Sequence, residues 1–183
     1  MFEDRQLISR FKAGSMDAFR SIFDKYESDL MTLAANLLTD ANAAEDVLQE
    51  VFISFAEKID SFHLTGSLKG YFVVCVVNRA RDHLRKKQRQ RTVPLGEARR
   101  FESDLASPAE RVIKDEQLEQ LACAMRQLAY EQREAIVLRL HEGMKFKAIA
   151  KLQDVSDKTA QSRYRYGLDK LRSILNVNSE VKK

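Results

Sequence analysis

The sequence predicts an all-α chain of two small helical domains joined by a flexible linker, and three observations carry that prediction. Only 6 Gly and 2 Pro occur among 183 residues, too few turn formers for a sheet protein of this length. Apolar residues recur at spacings of three and four through most of the chain, the period of a helix with one buried face. Both prolines, Pro94 and Pro108, fall in the one internal stretch without such periodicity. The expected layout is a first domain over 1–92, a linker over 93–111, a second domain over 112–177 and a frayed tail over 178–183.

In the first domain, helices are expected near 3–12, 15–39, 41–59 and 66–90, with Asp40 and Asn42 marking the break between the second and third. In AEDVLQEVFISFAEKI, Val47, Leu48, Val51, Phe52, Phe55 and Ile59 make a wide inner stripe. The opposite face shows Asp46, Gln49, Glu50 and the apolar Ile53, a combination that suits a protein-docking surface. The next helix is apolar on nearly every side through GYFVVCVV, then carries seven Lys/Arg between residues 79 and 91. An apolar root with a basic tip fits a helix anchored in a bundle whose far end follows a phosphate backbone; a solvated charged end is the plainer reading. The loop DSFHLTGSLKGYF between them sets Phe62, His63 and Tyr71 among Thr65, Gly66 and Ser67. Such residues can stack an unpaired base and bond its edge, and Phe62 and Tyr71 are equally suited to the core.

In the second domain, helices are expected near 110–128, 131–142, 145–152 and 157–176. The last two have the layout of a helix-turn-helix, which places one helix in the DNA major groove. Ser156 is a natural N-cap for the second of them. The turn Gln153-Asp154 lacks the usual Gly, but Asp tolerates a positive φ better than most residues. Ala160, Tyr164, Gly167, Leu168 and Leu171 form the inner stripe. The outer face carries Lys158, Gln161, Ser162, Arg165 and Tyr166, with Thr159 and Arg163 at its margin. Gln and Arg reach base edges, while Lys, Ser, Thr and Tyr suit phosphates.

Charge is distributed unevenly around a net +4. Residues 1–60 hold 6 Lys/Arg against 12 Asp/Glu, whereas 79–100 hold 9 against 2 and 144–172 hold 8 against 3. Two separate basic clusters favour a polyanion touched at two places, with nucleic acid the leading class and the acidic start facing protein. No apolar run approaches the ~18 residues of a membrane span, and the first residues show no secretory signal. Cys75 and Cys123 lie inside apolar helical patterns and read as buried thiols in a reducing cytoplasm. No carboxylate pair, activated nucleophile, phosphate-binding Gly loop or metal-ligand spacing is present, so neither an enzyme nor a cofactor is expected.

AEDVLQEVF, NRARDHLRKK and the C-terminal EQREAIVLRLHEGMKFKAIAKLQDVSDKTAQSRYRYGLDKLR together resemble bacterial sigma factors of the sigma-70 superfamily. The two-domain layout resembles their extracytoplasmic-function (ECF) group, which keeps only regions 2 and 4. The resemblance implies that Asp46, Gln49 and Glu50, in a D-x-x-Q-E pattern extended by Ile53, grip the β′ clamp of core RNA polymerase. It implies that residues 61–71, with Phe62, His63, Thr65, Ser67 and Tyr71, capture a flipped base of the −10 element. Asn78, Asp82 and Arg85 match an N-x-x-x-D-x-x-R pattern behind that loop, with Arg79, Arg85, Lys86 and Lys87 holding phosphates. Lys158, Thr159, Gln161, Ser162, Arg163, Arg165 and Tyr166 fall on the −35 recognition helix, and the apolar hairpin before it would meet the β flap. An anti-sigma protein is a further partner that the resemblance implies.

The sequence departs from that pattern at three places. Tyr71 stands where Trp is frequent, Val74 where Arg is common, and Gln161 where Lys or Arg is frequent, so the −35 sequence is expected to differ. The rival reading is a stand-alone dimeric helix-turn-helix regulator binding a palindrome; against it, no dimerisation helix or ligand domain is evident.

Overall fold

The computed structural model describes the backbone of residues 2–91 and 111–180, and side chains over 2–89 and 118–176. Among the described residues there are eight α-helices and no strand: α1 (Phe2–Lys12), α2 (Met16–Leu38), α3 (Ala41–Glu57), α4 (Leu68–Arg91), α5 (Arg111–Arg126), α6 (Tyr130–Leu140), α7 (Phe146–Gln153) and α8 (Asp157–Glu180). The chain divides into two compact units, Met1–Arg85 and Lys86–Lys183. The expected linker lies outside the described residues except for Arg111, which begins α5. α8 runs to Glu180, with no Gly or Pro among residues 173–180 to end it earlier; the rest of the expected tail lies outside the described residues.

In the first unit the helix boundaries follow local chemistry. The Ser15 hydroxyl caps α2 by accepting from the Ala18 amide at 3.4 Å. Thr39 ends α2 in the left-handed region at φ 55°, and the next residue, Asp40, caps α3 by accepting from the Ala43 amide at 3.2 Å. Thr39 is β-branched, so its conformation costs more than Gly would; the reward is a two-residue reversal that lays α3 back on α2. The core is centred on Phe55 and Phe72, both fully buried, with ring centroids 5.1 Å apart. Phe52 lies 5.1 Å from Phe72 and 4.7 Å from Phe23, so aromatic contacts join α2, α3 and α4. All six residues of the expected α3 stripe are buried.

α1 is fastened to α2 by a polar clip. The Asp4 carboxylate, only 5% exposed, accepts from the Tyr26 hydroxyl at 2.8 Å and the Lys25 ammonium at 2.9 Å; Glu3 joins Lys25 from outside. Burial alone would raise the Asp4 pKa, but the bonds from Lys25 and Tyr26 and the Lys25 charge outweigh it and hold the carboxyl below its ordinary value. Tyr26 is pushed up to about 12 by burial and by its bond to Asp4.

In the second unit α6 is enclosed on nearly every side: six consecutive residues, Arg133 to Leu138, are buried. Arg133 spans to α5, donating to the Met125 carbonyl at 3.1 Å and lying 5.6 Å over the Tyr130 ring. α8 crosses α6 at Gly167, where a Cβ would stand 2.9 Å from Ile136 Cδ1 and 3.1 Å from Gln132 Cβ. The helix accepts the propensity cost of Gly, roughly 1 kcal/mol against Ala, because a larger residue would hold the two helices apart. The reading of both cysteines as buried is also corrected: Cys75 is half-buried and Cys123 exposed. Among the described residues of α5 the buried position is Ala124, one residue and thus about 100° further round the helix.

The Asp4 clip sets a pH dependence. A depressed folded pKa stabilises the fold above the ordinary value of 3.8, and that contribution is lost as pH falls through the folded value. Asp4→Asn is expected to lower the stability of the first unit by about 1–3 kcal/mol at pH 7. Thermal melts should show the gap between wild type and variant closing as the pH is taken below the ordinary carboxyl range.

Candidate nucleic-acid and protein-docking faces

In the first unit, the packing that buries the α3 stripe turns Asp46, Gln49, Glu50 and Ile53 outward; all four are exposed, Ile53 by 51%. They occupy one ridge at i, i+3, i+4 and i+7. Glu50 reaches α4, where its carboxylate pairs with the Arg79 guanidinium at 3.3 Å. The pair joins two residues that the resemblance gives to different partners, polymerase and phosphate.

The loop between α3 and α4 is organised by its aromatics. Phe62 packs edge-on against Phe55 at 5.2 Å and against Tyr71 at 4.8 Å. Both Phe62 and Tyr71 are half-buried, so they close the edge of the core while keeping part of each ring at the surface. Burial, followed by a bond to Cys75, pushes Tyr71 up to about 12. The Cys75 thiol is likewise raised by burial, against the opposing influence of Tyr71, Lys58 and Arg79. His63 is exposed, with Nδ1 2.8 Å from the Ser61 carbonyl. Ser67 accepts from the Gly70 amide at 3.0 Å and so caps α4, while Thr65 is exposed.

Beyond the loop, Tyr71, Val74, Asn78, Asp82 and Arg85 share one side of α4 at spacings of three and four. Val74, 40% exposed, puts an apolar surface there. Asn78 and Asp82 are exposed, and Asp82 pairs with Arg85 at 3.6 Å. Arg79 is half-buried; Lys86 and Lys87 are exposed.

The second unit carries the helix-turn-helix. Asp154 follows α7 in the left-handed region at φ 52°, the conformation read for this turn. The Asp154 amide returns to the Ala150 and Lys151 carbonyls, and the Val155 amide reaches the Ala150 carbonyl at 3.0 Å, a closing pattern of the Schellman type. Ser156 caps α8, accepting from the Thr159 amide at 3.1 Å; the Thr159 hydroxyl joins the cap at 2.9 Å. Phe146 and Tyr164, 5.4 Å apart and edge to face, hold α7 on α8.

On α8, Lys158, Thr159, Gln161, Arg165 and Tyr166 are exposed, Ser162 and Arg163 half-buried. Arg165 lies 5.2 Å over the Tyr166 ring. Arg163 turns back toward the turn and donates to the Gln153 side-chain oxygen at 3.0 Å. Gln153, read from the sequence only as a turn residue, also donates to the Glu131 carbonyl at 3.0 Å. No sequence signal pointed to it, since its partners lie 22 residues before it and 10 after. Among the described residues there is no group of side chains suited to a metal ion, and no helix long and apolar enough to cross a membrane.

Both units match one family. Residues 22–90 match sigma-70 region 2 and residues 118–171 match sigma-70 region 4, and the chain belongs to the sigma-70 family of RNA polymerase sigma factors. It is 30% identical to the RNA polymerase sigma factor CarQ of Myxococcus xanthus over 92% of this chain and 95% of that protein. It is 26% identical to the ECF RNA polymerase sigma factor SigX of Bacillus subtilis over 90% of this chain and 87% of SigX. Within the family, the ECF group is where it stands. Its fold is similar to that of the sigma factor RpoE in a co-crystal structure with the anti-sigma factor NepR from Bartonella quintana. That match has a TM-score of 0.66 at 23% identity and covers 87% of this chain and 97% of that one.

The Glu50–Arg79 pair is solvated on both sides, with 52% and 41% of the side chains exposed, and such pairs contribute about 0–1 kcal/mol. Glu50→Gln and Arg79→Gln are therefore expected to move the thermal midpoint by no more than a few degrees. Calorimetry on the full chain checks this; a large loss would mean that the pair belongs to the fold more than to the face.

Proposed function

We propose that this chain directs core RNA polymerase to its promoters by dividing the task among three faces. The ridge of Asp46, Gln49, Glu50 and Ile53 docks on the β′ clamp, and the hairpin before α8 meets the β flap. The loop with Phe62, His63, Thr65, Ser67 and Tyr71 takes an unstacked base of the −10 element. Asn78 helps read that element, Asp82 steadies Arg85, and Arg79, Arg85, Lys86 and Lys87 run along the phosphates. Lys158, Thr159, Gln161, Ser162, Arg163, Arg165 and Tyr166 present α8 to the −35 element. The observation that carries the reading is the capped helix-turn-helix with its polar and basic outer face, in a chain whose other unit exposes an acidic and apolar ridge for a protein.

The physics is differential binding. Extruding a base costs a few kcal/mol, stacking returns about 1–3 kcal/mol, and phosphate contacts supply the balance. Polymerase carries out the chemistry; this chain selects the place and favours the opened strand. An anti-sigma protein is a proposed further partner, since the RpoE relative of similar fold was solved with one. The stand-alone regulator is the less favoured alternative, and we propose a cytoplasmic site of action, where polymerase and DNA are found.

Run-off transcription on a genomic fragment library, with core polymerase and with or without this chain, tests the proposal. Discrete transcripts that require the chain are expected, and none would overturn it. Glu50→Gln should weaken capture by core polymerase while the fold is retained. If some six phosphates are neutralised, log K for promoter binding should fall against log salt with a slope of roughly −5. Gln pairs best with adenine and Lys with guanine, so Gln161→Lys should shift selection from a randomised −35 library toward guanine at one position.

A further inference from the structure

We infer that Gln153 is a positioning residue for DNA binding: it holds Arg163 ready to receive a phosphate at the edge of the −35 element. The inference rests on the reading of α8 as the DNA-facing helix and adds to it a residue outside that helix. Arg163 has only donors to offer, so the Gln153 oxygen must face it, at 3.0 Å. The Gln153 amide nitrogen is thereby turned outward and meets the Glu131 carbonyl at 3.0 Å. One side chain at the last position of α7 thus links the first turn of α6 to α8 across the turn. Gln153 and Arg163 are both half-buried and Glu131 is exposed, so the bond to Arg163 is more confined than one between two fully exposed side chains.

The consequence for Arg163 is geometric. An unrestrained Arg loses rotamer freedom on being fixed, and a side chain already fixed loses less on binding. The guanidinium is drawn back toward the helix-turn-helix turn, away from the outer ridge of Gln161 and Arg165. A group held back from the ridge is poorly placed for base edges but well placed for the backbone that borders the groove. Phosphate contacts of that kind set register and orientation, not sequence. One N–H engages Gln153, and the guanidinium fork has five in all, so holding and contacting are compatible.

A double-mutant cycle tests this. The holoenzyme, core polymerase with the full chain, is titrated by fluorescence anisotropy onto a labelled promoter duplex recovered from the run-off selection. Gln153→Met keeps the size of the side chain and removes both bonds. Gln153→Met is expected to weaken binding about fivefold to tenfold when Arg163 is present. In an Arg163→Ala background it should have almost no further effect, and Arg163→Ala alone should reduce the salt slope by about 1. Both single variants should melt near the wild-type temperature; Arg163→Gln replaces Arg163→Ala in the cycle if the latter unfolds. An equal loss in both backgrounds would overturn the inference, because Gln153 would then act on the fold and not through Arg163. Unchanged binding by Gln153→Met would overturn it as well. Failure of the wild-type holoenzyme to bind any promoter duplex is a different result, and it would remove the functional reading along with the inference.

Discussion

The contact of Phe55 with Phe72, flanked by Phe52, is the constraint on which the first unit turns. Each helix has one stripe to bury, and these rings determine which stripe of α3 meets which stripe of α4. Once they are packed, the outward positions follow without further choice. Asp46, Gln49, Glu50 and Ile53 must stand on one ridge, and Asn78, Asp82 and Arg85 on one side of α4. Aromatic pairs contribute about 0.5–1.5 kcal/mol beyond the area they bury, and here the larger return is in register. The same rings bring Phe62 and Tyr71 to the edge of the core, so the loop proposed to meet DNA is anchored on the buried aromatic cluster.

The second unit reaches the same end by close approach of backbones. Gly167 lets α8 lie against Ile136 and Gln132 of α6, and Ala160, fully buried, continues the small-residue contact toward the turn. A helix seated this deeply on one side offers its other side as a stiff, continuous surface, which a groove-reading helix requires. Asp154 and Ser156 set where that surface begins. The first takes the left-handed turn and the second satisfies an amide that the start of a helix leaves open.

Polar groups inside both units show where pattern and packing part company. Asp4 and Arg133 occupy positions where a helical pattern marks only charge, yet both are buried. Each is buried with its partners already in place: Tyr26 and Lys25 for Asp4, the Met125 carbonyl and the Tyr130 ring for Arg133. A buried charge without such partners would be strongly destabilising. These contacts tie the first helix of each unit to the rest, and neither unit could spare them as simple surface charges. Burial of Arg133 lowers its pKa, while the charge it keeps serves the joint between α5 and α6.

The helical class, the α3 stripe, the Ser156 cap and the left-handed Asp154 were all legible in the chain itself. The reason is that each is set by residues within about one or two turns of one another, where period, side-chain reach and backbone sterics act locally. The sigma-type motifs belong to that category too, because they lie on single helices. What the local pattern could not decide was whatever depends on a partner distant along the chain. Cys123 faces out although its neighbours are apolar; Phe62 and Tyr71 meet through Phe55; Glu50 finds Arg79; Gln153 bridges Glu131 and Arg163. In each of these, the outcome depends on how the elements pack against one another, and that is decided only after the cores have formed.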